Sequence, residues 1–125
     1  MVKAFLEADA YDGPSLIIAY THCIAHGINM ASAVEGCKEA VASGHWQLYR
    51  YDPRRAAEGK NPLQLESKDP TISFADYALK QNRYKVLKKV NPEAAEALMA
   101  EANKVTADRY DMYKKLAAMD FGEDK

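Results

Sequence analysis

The sequence predicts an α/β fold: a fragment of an open, mostly parallel sheet followed by an α-helical C-terminal tail. Three observations carry this. A Gly13-Pro14 turn opens a continuous apolar, partly β-branched run from Ser15 to Tyr20. An unbroken apolar run, rather than an alternating one, marks a strand buried on both faces, the parallel-sheet pattern. Gln47 to Tyr51 alternates polar and apolar residues, and Leu63-Gln64-Leu65 is a second short extended run. Asn91-Pro92 then begins the clearest helix, with Asn91 as cap and Pro92 in the first helical position.

The remaining elements follow in order. Val2 to Ala10 has helical texture with Phe5 and Leu6 on a common side, but is short for an independent helix. Thr21 to Met30 is the loop that carries Cys23, and Gly27 supplies an unusual backbone angle there. Ala31 to Ser43 reads as a helix from the spacing of Val34, Cys37, Lys38 and Val41, with Gly44 as the left-handed residue that ends it. The two short runs after it either pair with each other or dock on a larger sheet. Ser73 caps a helix running from Phe74 towards Lys89, with Tyr77, Ala78, Tyr84 and Leu87 among its apolar positions. In the final helix, ending near Ala118, Leu98, Ala102, Val105, Met112, Leu116 and Met119 form an apolar stripe interrupted by Arg109. A charged tail follows from Phe121 to Lys125.

Composition bounds the function. At 125 residues this is one domain's worth of chain or less. With 17 basic and 18 acidic residues the net charge is −1, and Lys and Arg read as scattered, so no basic field favours nucleic acid. No apolar run approaches the ~20 residues of a membrane span. Glu7 and Asp9 interrupt the N-terminus, which is not a signal peptide. Two cysteines without secretory context argue for a reducing, cytosolic setting.

Cys23 lies just past the carboxyl end of the predicted strand, where ligand chemistry collects in open α/β sheets. On its own, such a cysteine reads as a small buried hydrophobe. Cys37 falls within a helical pattern and reads as structural. His22, Cys23 and His26 also suggest a zinc site or a Cys–His nucleophile pair. Adjacency argues against both, because neighbours in extended chain point apart; His26-Gly27 then simply turns the loop. Trp46, Tyr49 and Tyr51 read as a packed aromatic cluster with Arg50 laid along it. Arg54, Arg55 and Lys60 form a small basic loop. Tyr77, Tyr84, Tyr110 and Tyr113 read as packing residues with a wet hydroxyl end. No catalytic residue is assigned.

Four blocks carry a resemblance: Ser15-Leu16-Ile17-Ile18-Ala19-Tyr20-Thr21-His22-Cys23-Ile24-Ala25-His26-Gly27, Ala40 to Trp46, Leu48 to Arg54, and Gly59-Lys60-Asn61-Pro62-Leu63-Gln64-Leu65-Glu66-Ser67-Lys68. They resemble the thiamine-diphosphate domain near the C-terminus of pyruvate:ferredoxin (or flavodoxin) oxidoreductases. The resemblance implies that residues 1–68 are the end of the thiamine-diphosphate-binding domain and 69–125 a helical tail that packs on the rest of the enzyme or its dimer mate. It implies that Cys23 is one ligand of a 4Fe–4S cluster, a group held by cysteine thiolates. The other ligands come from upstream segments not found in this sequence. It implies thiamine diphosphate and magnesium in the parent, whose Gly-Asp-Gly motif does not occur here. The implied activity is oxidative decarboxylation of pyruvate with coenzyme A, with electrons passing to ferredoxin or flavodoxin in a low-oxygen cytoplasm. The basic loop at Arg54, Arg55 and Lys60 would face an acidic carrier. The chain alone is expected to be inactive, and to oligomerise or bind a companion subunit. The rivals are a stand-alone interaction protein that kept the fold remnant, and one half of a split enzyme.

Overall fold

The computed structural model describes residues 2–122. Residues 123–125 of the expected charged tail lie outside the described residues. The first helix, α1 (Val2–Asp9), matches the helical texture read there and buries no side chain. Its tie to the fold is polar. Arg50 donates to Glu7 and, at 2.7 Å, to Glu66, bridging α1 to the segment that follows the second strand. The hydrogen bond from Arg50 holds the Glu7 carboxyl below its usual range.

Ser15 to Tyr20 is not a strand. The run has no regular structure, Leu16 is 83% and Ile18 64% exposed, and no described backbone hydrogen bond involves residues 14–22. A strand forms only where a neighbour takes its N–H and C=O groups. Among the described residues the one ladder joins two other segments, so this apolar run stays unpaired. The predicted parallel sheet is therefore replaced by a two-stranded antiparallel one.

A short 3-10 turn at Met30–Ser32 leads into α2 (Ala33–Ala42), with the Asn29 side chain accepting from the Ala31 N–H at 3.0 Å. Ala33 and Ala40 face inward, whereas Val34 is exposed. Gly44 ends the helix with φ 70°, as read, and packs close to Pro70. β1 (Tyr49–Tyr51) and β2 (Leu63–Leu65) pair with each other in the register Tyr49↔Leu65, Arg50↔Gln64 and Tyr51↔Leu63. This settles the alternative left open by the sequence. Alternation is inverted in β1. Arg50 is the more buried residue and the flanking tyrosines are exposed, because two carboxylates receive the guanidinium. The expected aromatic cluster divides: Trp46 packs on Tyr20 at 5.2 Å and Tyr49 on Tyr113 at 4.9 Å.

The helix expected from Phe74 to Lys89 is two helices, α3 (Phe74–Ala78) and α4 (Asn82–Val90). Ser73 caps α3 as read, in a capping box with Asp76. The break at 79–81 buries Gln81 and turns the Asn82 N–H towards the Gly27 carbonyl instead of a helical partner. The basic residues are not evenly scattered. Lys80, Arg83, Lys85, Lys88 and Lys89 crowd around α4, with no acidic residue between Asp76 and Glu93. α5 (Pro92–Ala117) is capped by the Asn91 side chain, which accepts from the Ala94 N–H at 3.1 Å. It turns Ala95, Thr106 and Tyr110 inward. Most of the stripe read from spacing lies elsewhere: Leu98, Val105, Met112 and Leu116 are exposed. Arg109, which interrupts that stripe, donates to the His45 carbonyl at 2.7 Å.

The core is small. Ala40, Phe74, Tyr77 and Ala78 are its centre, with Tyr20, Trp46, Tyr84 and Met99 packed around them. It joins α2, α3 and one flank of α5, and of the apolar run before Cys23 it takes in Tyr20 and leaves residues 15–19 outside.

Candidate functional site

Cys23 stands at the head of a 3-10 turn, Ile24–His26, in extended backbone (φ −123°, ψ 128°). Its side chain is exposed. Gly27 closes the turn with φ 66°, its N–H donating to Ile24 at 2.9 Å. That conformation favours glycine. Space demands it as well, since a Cβ here would lie 2.8 Å from Asn82 Cβ.

Three consecutive residues at the start of α4 clamp this loop. The Asn82 N–H donates to the Gly27 carbonyl at 3.3 Å. His26 Nδ1 lies 2.7 Å from Gln81 Oε1, and Arg83 lies 3.3 Å from His26 Nε2. With Gln81 Oε1 accepting, Nδ1 carries the proton and Nε2 accepts from the guanidinium. The clamp holds the residues just after Cys23 while the thiol itself projects to solvent.

The histidines do not converge on Cys23. His26 faces α4, whereas His22 Nδ1 lies 3.7 Å from Cys37 Sγ. Neither the zinc triad nor the Cys–His nucleophile at Cys23 is assembled. Among the described residues no three His, Cys, Asp or Glu side chains are grouped to hold a metal ion. An iron–sulfur cluster takes several thiolates, and this chain brings one exposed thiol to the loop. Among the described residues the donor set is therefore not a complete cluster site.

Beside the loop is a cleft of about 290 Å³, lined by Tyr20, His22, Asn29, Glu39, Tyr77 and Lys80 among others. Its polar groups are spent on each other. Lys80 pairs with Glu39, and the hydroxyls of Tyr20 and Tyr77 share a hydrogen bond. Burial, then that bond, drives the Tyr77 hydroxyl far above its usual range, so it stays protonated. Behind it the His45 ring stacks on Tyr77 at 5.4 Å. Burial, and then the Arg109 charge, push His45 below the usual imidazole value and keep it neutral. Nothing in this cleft is positioned as nucleophile and base. The Arg54, Arg55 and Lys60 loop is also occupied: Arg54 pairs with Asp52, Arg55 donates to the Asn61 carbonyl, and Lys60 pairs with Glu58.

The chain is similar to known proteins along most of its length. No family model matches it. The chain is 53% identical over 117 residues to a pyruvate-flavodoxin oxidoreductase of Trichormus variabilis, covering 94% of the chain and 10% of that relative. It is equally similar, at 53% over 117 residues, to a pyruvate:ferredoxin oxidoreductase of Moorella thermoacetica. A mitochondrial pyruvate dehydrogenase [NADP(+)] of Euglena gracilis is 49% identical over 118 residues, 6% of its length. The chain is homologous to one segment of these enzymes. It spans about a tenth of the length of the first two. The match runs through nearly the whole chain, the α4–α5 part included, beyond the four blocks quoted for the resemblance.

Gly27 was legible as a turn glycine from sequence. Gln81, Asn82 and Arg83 were not, because they meet the loop across more than fifty positions and lie inside what reads as one continuous helix.

Proposed function

We propose that the chain is the cluster-side segment of an oxidoreductase that decarboxylates pyruvate oxidatively with coenzyme A and passes the electrons to flavodoxin or ferredoxin. On this reading residues 1–68 complete a thiamine-diphosphate-binding domain and residues 69–125 form a helical tail. Cys23 gives one thiolate to a 4Fe–4S cluster whose other ligands come from the remainder of the enzyme or a companion subunit. The cluster, when bound, carries electrons between the carbon chemistry and the carrier. The chain's own part is to hold Cys23 in place through the Gly27, Gln81 and Asn82 clamp. The thiamine cofactor and its magnesium belong to the remainder. The setting is the cytoplasm; no described helix is long and apolar enough to cross a membrane.

The observation that carries this reading is identity of about half over 94% of the chain with relatives named for that reaction. The unpaired run at 15–20 supports it. Exposed Leu16 and Ile18, with free backbone donors and acceptors, are what a sheet strand presents before its neighbours are added. A stand-alone interaction protein is the second reading, favoured by the single loop thiol and the absence of a grouped metal site among the described residues.

Anaerobic iron–sulfur reconstitution separates the two. The chain is mixed with the remaining part of a homologous oxidoreductase, and iron content and visible absorption are measured. Cluster formation that requires both parts and weakens in Cys23→Ala supports the oxidoreductase reading. A cluster indifferent to Cys23→Ala removes the ligand assignment, and no association between the parts removes the reading itself.

A further inference from the structure

Cys23 stands midway between two anchored side chains. Tyr20, three residues before it, shares a hydrogen bond between hydroxyls with Tyr77. His26, three residues after it, lies 2.7 Å from Gln81 Oε1 through its Nδ1. Tyr77 belongs to α3, and Gln81 to the break that follows, four residues on. Residues 20–26 therefore form an arch with both feet on the end of α3 and the exposed thiol at its middle.

The side chains carry this arch because the backbone does not. No described backbone hydrogen bond involves residues 14–22, and Leu16 and Ile18 are exposed. The chain before Cys23 joins the core at Tyr20, whose ring packs on Trp46 and stands edge-on to His45 at 5.8 Å. Between the feet, His22 leans on α2 through Cys37, and the Cys23 carbonyl accepts from the His26 N–H at 3.1 Å.

The two feet are also joined to each other. Gln81 is only 9% exposed, and a primary amide both accepts and donates. Its oxygen accepts from His26, and its nitrogen donates to the Tyr77 hydroxyl. Arg83 only donates, so its contact at 3.3 Å keeps His26 Nε2 as an acceptor and fixes the proton on Nδ1. One chain of polar contacts thus runs from Arg83 through His26, Gln81 and Tyr77 to Tyr20. Each bond in such a chain polarises the next, so losing one hydroxyl weakens the hold on both sides of Cys23.

We propose that Tyr20 and Tyr77 are positioning residues for the Cys23 thiol, their hydroxyl pair forming one foot of the arch and His26 on Gln81 the other. That the thiol meets a cluster rests on the function proposed above, whereas the arch stands on the geometry of this chain alone.

The test is nitrogen-15 relaxation of the 125-residue chain and of Tyr77→Phe, Tyr20→Phe and, as control, Tyr113→Phe. Each change keeps the ring and removes only the hydroxyl. In the parent the Thr21 to Ala25 amides should have order parameters near about 0.8, and in the first two variants they should fall to about 0.6 or below, with α2 and α5 unchanged. Tyr113, whose ring packs on Tyr49, should leave the arch as it is when changed. Tyr20→Phe removes the same bond from the loop side, and so covers a Tyr77→Phe protein that folds poorly. Unchanged order at residues 21–25 in the folded variants, or a loss spread evenly over the chain, overturns the proposal. The second readout is iron retention against a chelator, after reconstitution with the remaining part of a homologous oxidoreductase. Tyr77→Phe should hold iron about tenfold less tightly, as when a residue that orients a metal ligand is lost. Equal retention despite a loosened loop overturns the positioning role. Failure of the parent chain to support any cluster removes the oxidoreductase reading instead, and the relaxation result then decides the arch by itself.

Discussion

Replacing Gly27 with Ala should be among the most damaging single-methyl additions to this chain. The residue has φ 66°, and its new Cβ would lie 2.8 Å from Asn82 Cβ. Holding a non-glycine residue in that conformation costs roughly 1–3 kcal/mol. Relieving the clash moves the loop off α4 and weakens the Asn82 N–H bond to Gly27, worth about 1 kcal/mol. The sum is about 2–4 kcal/mol. With a urea dependence of roughly 1–3 kcal/mol per molar for a chain of this size, the midpoint should fall by about 1–2 M. Gly36→Ala is the control. Nothing lies within 4 Å of a Cβ there, and the residue is inside α2, so the change should stabilise by about 0.5–1 kcal/mol. Adding Asn82→Gly to Gly27→Ala should recover the steric part of the loss and leave the conformational part. Urea unfolding followed by circular dichroism reads all four proteins. A Gly27→Ala midpoint within about 0.3 M of the parent would refute the clamp, and with it the claim that the Cys23 loop is held by α4.

Ser73→Ala removes the capping box of α3 and should cost about 1 kcal/mol in a thermal or urea melt. The Ser73 hydroxyl and amide hold the Asp76 carboxyl below its usual value. The stabilisation this gives is present above the ordinary carboxylate range and lost as pH falls through the lowered value, so the stability gap between wild type and variant should narrow as pH falls through that range. His45 acts in the same direction: its folded value is also depressed, so the unfolded chain takes up a proton first. Stability should decline as pH falls through the ordinary imidazole range near about 6.5, and His45→Phe should remove that slope between pH 7 and 5 as followed by urea midpoints. The two faces of α5 should differ sharply. Tyr110→Ala should cost about 3 kcal/mol, and Leu98→Gln should stay within about 0.5 kcal/mol, both measured in urea; a large loss at Leu98 would mean that its face is covered in solution.

The caps were legible because their chemistry is local. Asn91 and Ser73 accept from N–H groups three residues ahead, and Gly44 ends α2 in a conformation its own lack of a Cβ permits. Cys23 was placed correctly in a loop for the same reason, since the Gly27 turn that follows it closes within four residues. The strand at Ser15 to Tyr20 was misread because an apolar run states a wish for burial and not the presence of neighbours. The clamp on Cys23 was invisible because Gln81 and Asn82 sit more than fifty residues away.

What the sequence determined by itself was the start of α3, the start and length of α5, the loop placement of Cys23, and the likeness to pyruvate oxidoreductases; the exposure of the Cys23 thiol, read as buried, came from the structure. Only the tertiary structure decided which face of each helix turns inward, that β1 pairs with β2, that Arg50 and not the tyrosines fills the space beside α1, and that Arg54 and Lys60 are ion-paired. The physical reason is range. Caps and turns satisfy backbone groups a few bonds away, so the residues that do it are adjacent in sequence. Burial and ion pairing depend on which distant surface arrives, and in a core as small as this one Ala40, Tyr77 and Ala78 win the interior while Leu16, Val90 and Leu98 are left facing out.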